Sequence, residues 1–245
     1  MFKTKVKPEV LKELVDIVSV LVDEAKFTAT KSKLVVKAVD PAHVAMVDLT
    51  LKKDAFEEYS ATDTELGVDL DKVKEVLKLA KPGDVISIEH NEEKNVLAFK
   101  VGNINRTMAL VDPAGMSDPK VPNLNLPVKV VVSTEQLRQG IRASESISDH
   151  LALVASPDSF EIVAEGDTDH VDLKLPRDAL ESLECKEAAR SLFPLDYFSN
   201  MIKAIQSAPT ITMQMGNDYP VKMDFTIAGG KGEGQYLLAP RIESE

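Results

Sequence analysis

The chain of 245 residues has a single cysteine, Cys185, so no disulfide can form within it and a reducing compartment is expected. No apolar run reaches the ~18 residues that a membrane-spanning helix needs. The N-terminal stretch MFKTKVKPEV has neither the apolar core nor the small-residue cleavage site of a signal peptide. These absences predict a soluble cytoplasmic protein with no membrane partner.

Motifs for catalysis and for metal or cofactor binding are scarce. The four histidines are scattered and lack metal-ligand spacing. SESISDH (144–150) contains Ser, Asp and His, but the members of a catalytic triad normally converge from separate elements. The glycine-rich GGKGEG (229–234) lies between two strand patterns, so it predicts a hairpin turn rather than a phosphate loop. We expect no enzyme, no metal site and no cofactor, with an enzyme whose site is unrecognised as an alternative.

The net charge of −11, from 29 basic and 40 acidic side chains, argues by itself against nucleic-acid binding. A net charge does not show how the charges are distributed, however. The useful question is therefore whether the basic residues are gathered on one surface.

A long internal repeat organises the chain. VDLTLKKDAF (47–56) returns as VDLKLPRDAL (171–180), with six of ten residues identical. Amphipathic helix patterns at 7–25 and 70–80 also return about 125 positions later. A unit of this length indicates a duplicated domain rather than a solenoid repeat.

The recurring helix patterns are 133–151, where Ser133 is the expected N-cap, and 195–205. The VDL stretch of the repeat, which begins at 47 and again at 171, alternates with period 2 and predicts a strand in each half. Further strand patterns fall at 33–39, 84–90, 95–101 and 104–112 in the first half and at 159–165, 210–215, 220–228 and 234–241 in the second. Two helices against many antiparallel strands in each half predict an α+β fold with two similar domains.

The predicted domains are residues 1–111 and 128–245, joined by a connector at 112–127. Four prolines in the connector predict an extended, fairly stiff segment. Leu124 and Leu126 are spaced by two, which places both on one side of an extended chain. They either pin the connector to the domain surface or border a binding groove.

Basic residues recur on the polar faces of the predicted helices. Lys74, Lys78 and Lys81 follow one another at i, i+4 and i+7, and Arg138 and Arg142 lie one turn apart. Lys12 and Lys203 lie on the polar sides of the first and last helices. Solubility alone explains a lysine on any one helix, but the recurrence in both halves favours a shared basic surface.

Four stretches carry a family resemblance: AVDPAHVAMVDLTL (38–51), SDHLALV (148–154), EGDTDHVDLKLP (165–176) and YLLAPRIE (236–243). The chain resembles the proliferating cell nuclear antigen family, the DNA sliding clamps of archaea and eukaryotes, and is most similar to the archaeal type. The resemblance implies a ring-shaped homotrimer with helices lining a central channel and antiparallel sheets outside. It also implies a polymerase processivity factor that acts in replication and repair, in the cytoplasm and associated with the nucleoid.

The resemblance assigns Lys12, Lys78, Arg142 and Lys203 to basic channel positions that contact double-stranded DNA without sequence preference. Lys74, Lys81 and Arg138 are added from helical phase. The sequence departs from better-known relatives at Glu13 and Ser19, where those relatives are basic. This departure weakens the expectation that the first helix contacts DNA.

Partner proteins of the family carry the motif Gln-x-x-aliphatic-x-x-aromatic-aromatic; the implied partners are DNA polymerase, the clamp loader, flap endonuclease and DNA ligase. The matching pocket positions are Val39, His43, Val44, Met46, Leu124, Leu126, Pro220, Leu237, Leu238, Ala239 and Pro240. The implied joint between subunits pairs residues 104–112 of one chain with 170–176 of the next, through Arg106, Met108, Leu110, Asp172, Leu173 and Lys174. A subunit of a heterotrimeric, checkpoint-type clamp is the alternative to a homotrimer.

Overall fold

The structure, a computed structural model, describes residues 1–116 and 118–242 and divides into two compact units. The first unit is Met1–Lys120 with Thr226–Gly234, and the second is Val121–Phe225 with the residues from Gln235 onward. Residue 117 of the predicted connector and residues 243–245 of the predicted second domain lie outside the described residues. The predicted domain bounds at 111 and 128 stay a prediction.

Four α-helices are present in the described residues, two in each unit: α1 (Pro8–Ser19), α2 (Leu70–Leu77), α3 (Thr134–Ser144) and α4 (Leu195–Ala204). All four predicted helices are thus confirmed, although α1 and α3 are shorter than the patterns at 7–25 and 133–151 indicated. Ser133 is the N-cap of α3, as expected, because its hydroxyl accepts a hydrogen bond from the amide of Glu135. None of the helices in the described part of the chain is long and apolar enough to cross a membrane.

The strands of the first half are β1 (Phe2–Val6), β2 (Glu24–Ala29), β3 (Lys33–Val39), β4 (Ala45–Lys52), β5 (Glu58–Ala61), β6 (Thr64–Asp69), β7 (Ile86–Asn91), β8 (Val96–Val101) and β9 (Ile104–Ala109). Those of the second half are β10 (Val128–Ser133), β11 (His150–Ala155), β12 (Ser159–Glu165), β13 (His170–Pro176), β14 (Ser182–Glu184), β15 (Ala189–Pro194), β16 (Thr210–Met215), β17 (Val221–Ile227) and β18 (Gly232–Leu238). Every predicted strand is present; the unpredicted ones are β1, β2, β5, β6, β10, β11, β14 and β15.

The two halves have the same strand order. In the first half the orders are β5-β1-β7-β8-β9 and β6-β2-β3-β4. In the second they are β14-β10-β16-β17-β18 and β15-β11-β12-β13. These strand pairings are antiparallel. The duplication predicted from the sequence and the α+β architecture are therefore confirmed.

The repeated decapeptide has the same backbone course in both halves. β4 and β13 each lead into a single 3₁₀ turn, Lys53–Ala55 and Arg177–Ala179. The residues that follow the turns, Phe56 and Leu180, both have φ −104° and differ by only 3° in ψ (151° and 148°). The sequence identity between the two decapeptides therefore reflects the same strand and turn in both halves.

Each helix pair packs together and against the sheets of its own unit. In the first unit α1 contacts α2 and β4, while α2 contacts β6; in the second, α3 contacts α4 and β12, while α4 contacts β11 and β15. Leu14 and Ile17 of α1 and Leu137 of α3 are fully buried. Burying these apolar stripes leaves the polar face of every helix as surface.

Candidate nucleic-acid interface, sheet edges and partner loop

The basic residues predicted to contact DNA stay on the surface, but most have a carboxylate beside them. The ion pairs are Lys12–Asp16, Lys74–Asp71 (2.9 Å), Lys78–Glu75 (2.5 Å), Arg142–Glu135 (2.9 Å) and Lys203–Glu145 (2.6 Å). The side chains of Lys78, Arg142 and Lys203 remain 69%, 63% and 56% exposed. Exposed pairs of this kind contribute little to stability, so a stronger counter-ion can displace the carboxylate.

The carboxylates in these pairs respond to their basic neighbours. Hydrogen bonds from the Lys203 ammonium and then from the Ser199 hydroxyl lower the pKa of Glu145. The hydrogen bond from Lys78 likewise lowers the pKa of Glu75. Both carboxyls are therefore ionised at neutral pH, and the helix faces carry closely matched charges of both signs.

Two residues assigned from helical phase lie differently from the prediction. α2 ends at Leu77, so Lys81 falls in the following turn, where its backbone amide donates to the Asp84 carboxylate (2.7 Å). The predicted i, i+4, i+7 stripe is therefore wrong at its last member. Arg138 remains on α3, but its guanidinium donates to the carbonyl oxygen of Ile205 at the end of α4 (2.6 Å) and its side chain is only 31% exposed. It caps a neighbouring helix, a role that residue spacing does not reveal.

Glu13, the acidic departure on α1, is buried at 7% exposure. Its carboxylate accepts a hydrogen bond from the backbone amide of Ala228, in the β17–β18 turn (3.2 Å). Ala228 has a positive φ of 51°, and Gly229 and Gly230 follow with φ of 64° and 85°. GGKGEG thus begins within a hairpin turn, as predicted, and Glu13 fixes that turn within the first unit rather than joining the exposed charges.

β9 forms one edge of its sheet, with β8 as its only strand neighbour in the described residues. The amide of Leu110 donates to the carbonyl of Asn95 (3.1 Å), which marks a hydrogen-bonded pair next to the Val96–Ala109 pair. Such pairs alternate along an antiparallel ladder. The backbone groups of Thr107 therefore point away from β8 toward the open edge, whereas those of Met108 bond to β8.

β13 forms a sheet edge in the second unit, with β12 as its only strand neighbour in the described residues. The amide of Arg177 donates to the carbonyl of Asp158 (2.8 Å), and alternation from this pair assigns the backbone groups of Leu173 to β12. Asp172 and Lys174 therefore present their amides and carbonyls to the open edge. Each unit thus offers an unpaired strand edge at the place where the resemblance predicts a joint between subunits.

The loop between β3 and β4 is held by one buried carboxylate. Asp40 is 3% exposed, and its oxygens accept hydrogen bonds from the amides of Ala42 (3.1 Å), Val44 (2.8 Å) and Ala45 (2.7 Å). His43 is exposed at the tip of this loop with φ 56°. Asp40 therefore stabilises a left-handed backbone at a predicted partner-contacting residue.

The other predicted partner residues divide by exposure. In the first unit Val39 and Val44 are half-buried, whereas Met46 is only 7% exposed. In the second unit Leu124, Leu126, Pro220, Leu237, Ala239 and Pro240 are half-buried. Leu238 is fully buried, because alternation along β18 turns it into the core with Tyr236. Its side chain is unavailable to a partner, so that assignment is corrected.

Two domains with the same strand order and, in the described residues, four helices on antiparallel sheets define the class of DNA-clamp folds. Comparisons with known proteins name the family. The sequence models of the N-terminal and C-terminal domains of proliferating cell nuclear antigen match residues 1–112 and 120–241. The chain belongs to the proliferating cell nuclear antigen family, and the resemblance noted from its sequence is confirmed.

Full-length relatives agree with this assignment. The chain is 44% identical to the DNA polymerase sliding clamp of Methanocella arvoryzae and 43% identical to that of Methanosarcina barkeri, over 100% of each chain. The solved A. fulgidus PCNA, with the C-terminal region of FEN-1 bound, matches with a TM-score of 0.94 and 33% identity over 100% of both chains. The PCNA of Thermococcus kodakaraensis matches with a TM-score of 0.89 and 26% identity, over 98% of this chain and 100% of that one.

Replacing Asp40 by Ala should loosen the β3–β4 loop, because three amides lose a charged acceptor at a cost of about 2 kcal/mol. We expect hydrogen exchange at Ala42, Val44 and Ala45 to accelerate about tenfold or more while the β-sheet amides keep their rates. Asp40→Asn is the matched control, since its side-chain oxygen can still accept from Val44 and Ala45. Unchanged exchange in the Ala variant would show that the loop is held by other contacts.

Proposed function

We propose that three copies of this chain form a closed ring that encircles duplex DNA and carries polymerase and other DNA-processing enzymes. Sliding-clamp function, predicted from the sequence, is confirmed by the family match and the full-length archaeal relatives. The closed ring, the DNA path and the partner contacts are proposals that go beyond this family function. We propose no catalytic activity for the chain itself.

The ring is proposed because strand edges in the two halves of the chain are structurally equivalent. Within the first unit, β4 is already flanked by the β17–β18 hairpin: the amide of Lys52 donates to the carbonyl of Lys231 (3.0 Å), and the Lys52 ammonium lies 3.1 Å from Glu233. The duplication makes β13 the equivalent of β4 and β9 the equivalent of β18. Pairing β9 of one copy with β13 of another repeats a contact that the fold already makes.

The open edges also carry apolar surface. Ile104 of β9 is 47% exposed, and Val171 and Leu173 of β13 are half-buried. An exposed strand edge with apolar side chains promotes pairing with another chain. Copies joined head to tail in this way form a heterologous interface, which makes a ring when the rotation between copies closes. A closed homotrimer pairs β9 and β13 of every copy through one type of joint.

The basic residues on the helices support a path for DNA. Contacts to phosphate carry no sequence information, which suits a ring that must slide. Because the ammonium and guanidinium groups are paired with carboxylates, a phosphate must displace a charge before it binds. The net attraction is therefore small, and topological closure rather than affinity would keep the ring on DNA.

The proposed partner surface takes residues from positions far apart in the sequence. Partners would contact the Asp40-fixed loop of the first unit and the half-buried Leu126 and Leu237 of the second. The related A. fulgidus PCNA was solved with the C-terminal region of FEN-1 bound. By that likeness we propose that this chain takes flap endonuclease, polymerase, ligase and the clamp loader through the short motif given above.

The ring joint is tested by Thr107→Pro. Proline removes an amide that faces the open edge and leaves the hydrogen bonds between β8 and β9 intact. We expect the trimer to dissociate to monomers at low micromolar concentration, measured by analytical ultracentrifugation, with the circular dichroism spectrum unchanged. Thr107→Val keeps the amide and should stay trimeric. A Thr107→Pro trimer would contradict this joint, and a monomeric wild type would favour the heterotrimeric alternative.

The DNA path is tested by removing either the basic or the acidic side chains of the ion pairs on the helices. Lys78→Ala with Lys203→Ala should shorten polymerase products on primed DNA, whereas Glu75→Gln with Glu145→Gln should slow diffusion of the loaded ring. The salt dependence of DNA association should become shallower in the first variant and steeper in the second, by about 0.9 in log–log slope per phosphate contact.

Lys52→Ala is the matched control for this pair, because it removes a lysine from a strand rather than from a helix. It should leave product length and salt slope as in the wild type. Equal slopes in the wild type and both helix variants would reject the helices as the DNA path.

The partner surface is tested by Leu126→Asp. A carboxylate that must be desolvated against an apolar side chain should weaken binding of a Gln-x-x-Leu-x-x-Phe-Phe peptide by at least 100-fold, or about 2.7 kcal/mol. Calorimetry measures the affinity, and sedimentation should still show trimers. Asn125→Asp adds the same charge at the exposed neighbouring position and should have a small effect. Wild-type affinity in Leu126→Asp would exclude the connector from the site.

A further inference from the structure

The second unit contains a basic pocket whose lining residues belong neither to the proposed DNA contacts nor to the proposed partner surface. Its volume is about 590 Å³, and it lies on the sheet face formed by β11, β12 and β15, beside residue 241. His150, Arg190, Arg241 and Glu165 are among the residues that line it. Two arginines and a histidine thus share one cavity in a chain whose net charge is −11.

Backbone contacts fix both arginines at the rim. The amide of Arg241 donates to the carbonyl of Leu192 (2.7 Å), which attaches the residues after β18 to the edge of β15. The amide of Arg190 donates to the Asn217 side chain (2.8 Å), and the carbonyl of Arg190 accepts from the amide of Asp218 (3.2 Å). The two guanidinium groups are therefore carried by ordered backbone, which lowers the entropy lost on binding a ligand.

His150 positions one of these guanidinium groups. Nη1 of Arg241 lies 2.5 Å from Nε2 of His150. Because arginine has no acceptor, the guanidinium donates this hydrogen bond and the imidazole accepts it. The imidazole thus orients the Arg241 side chain beside the cavity, where the guanidinium can meet an anion.

The floor of the pocket is aliphatic. Ala152, Val163 and Leu192, from three neighbouring strands, line it together with Ile242, which is 73% exposed. No aromatic side chain is among the described residues of the lining, so bases have nothing on which to stack. Basic groups above an aliphatic floor suit a segment in which carboxylates alternate with aliphatic side chains.

We propose that this pocket docks an acidic segment of a protein partner, with carboxylates on Arg190 and Arg241 and an aliphatic side chain on the floor. Arginine binds carboxylate through two parallel hydrogen bonds, which gives direction as well as strength. This inference does not depend on the ring or on DNA binding. It adds a second type of docking site to a chain whose net charge is −11.

Fluorescence anisotropy with a labelled peptide, Glu-Leu-Glu-Glu-Ile-Glu, tests the site. We expect saturable binding at submillimolar concentration, and at least tenfold weaker binding by the double variant Arg190→Gln with Arg241→Gln. Arg177→Gln removes the same charge from an exposed position outside the pocket and should bind like the wild type. The peptide with Gln in place of every Glu should not bind.

The titration is repeated on a chain that ends at Ile242, so that the acidic residues 243–245 cannot compete for the arginines. Thermal melting of the double variant checks that the unit remains folded. The absence of saturable binding to both chains, or equal affinity in the double variant, would overturn the proposal. Displacement of the peptide by inorganic phosphate at equal concentration would also overturn it, in favour of a phosphate site.

Discussion

The unpaired edge of a β-sheet is the constraint on which this structure depends. A strand edge exposes amides and carbonyls that must find water or another strand. In the first unit the β17–β18 hairpin runs along β4, and Lys52 joins it through a backbone hydrogen bond and an ion pair. Duplication produced a second copy of this edge, β13, and a second copy of the flanking strand, β9, which in the described residues have no such neighbour. Because the fold was built twice, it carries the two strand edges that the proposed joint between copies would pair.

Charge pairing reconciles an acidic chain with a role on DNA. Lys203 and Ser199 both hydrogen-bond to Glu145, whose pKa is lowered as a result, and Lys78 does the same for Glu75. Such surface pairs exchange partners readily because each is worth little in water. If a DNA phosphate replaces the carboxylate beside a lysine, the net binding free energy is only the difference between the lysine–phosphate and lysine–carboxylate interactions. The resulting weak attraction suits movement along DNA better than a fully basic surface, which would hold phosphates firmly.

Residue patterns predicted the framework well and the individual contacts less well. Long periodic segments identified all four helices, and alternation identified the strands that carry the repeat. β1 and β10 were missed because short strands next to a helix give little periodic signal. Three contacts depend on residues far away in the sequence: the burial of Leu238, the capping by Arg138 and the hydrogen bond of Glu13 to the hairpin turn. No local pattern encodes such partners, so the site residues required the structure even where the family was already evident.

The two halves differ at one pair of equivalent hairpins, β3–β4 and β12–β13. Between β12 and β13 the turn is short and closes with the amide of Gly166 donating to the carbonyl of Asp169 (2.9 Å). Between β3 and β4 the turn is two residues longer, and the buried carboxylate of Asp40 holds its amides. The longer turn, with His43 exposed at its ordered tip, requires burial of the Asp40 carboxylate. Burying this charge is unfavourable, and only the full set of hydrogen bonds to the carboxylate offsets that cost. The plain turn in the other half shows that the fold does not need this device. Its presence in one half alone is the physical reason for proposing that this loop contacts a partner.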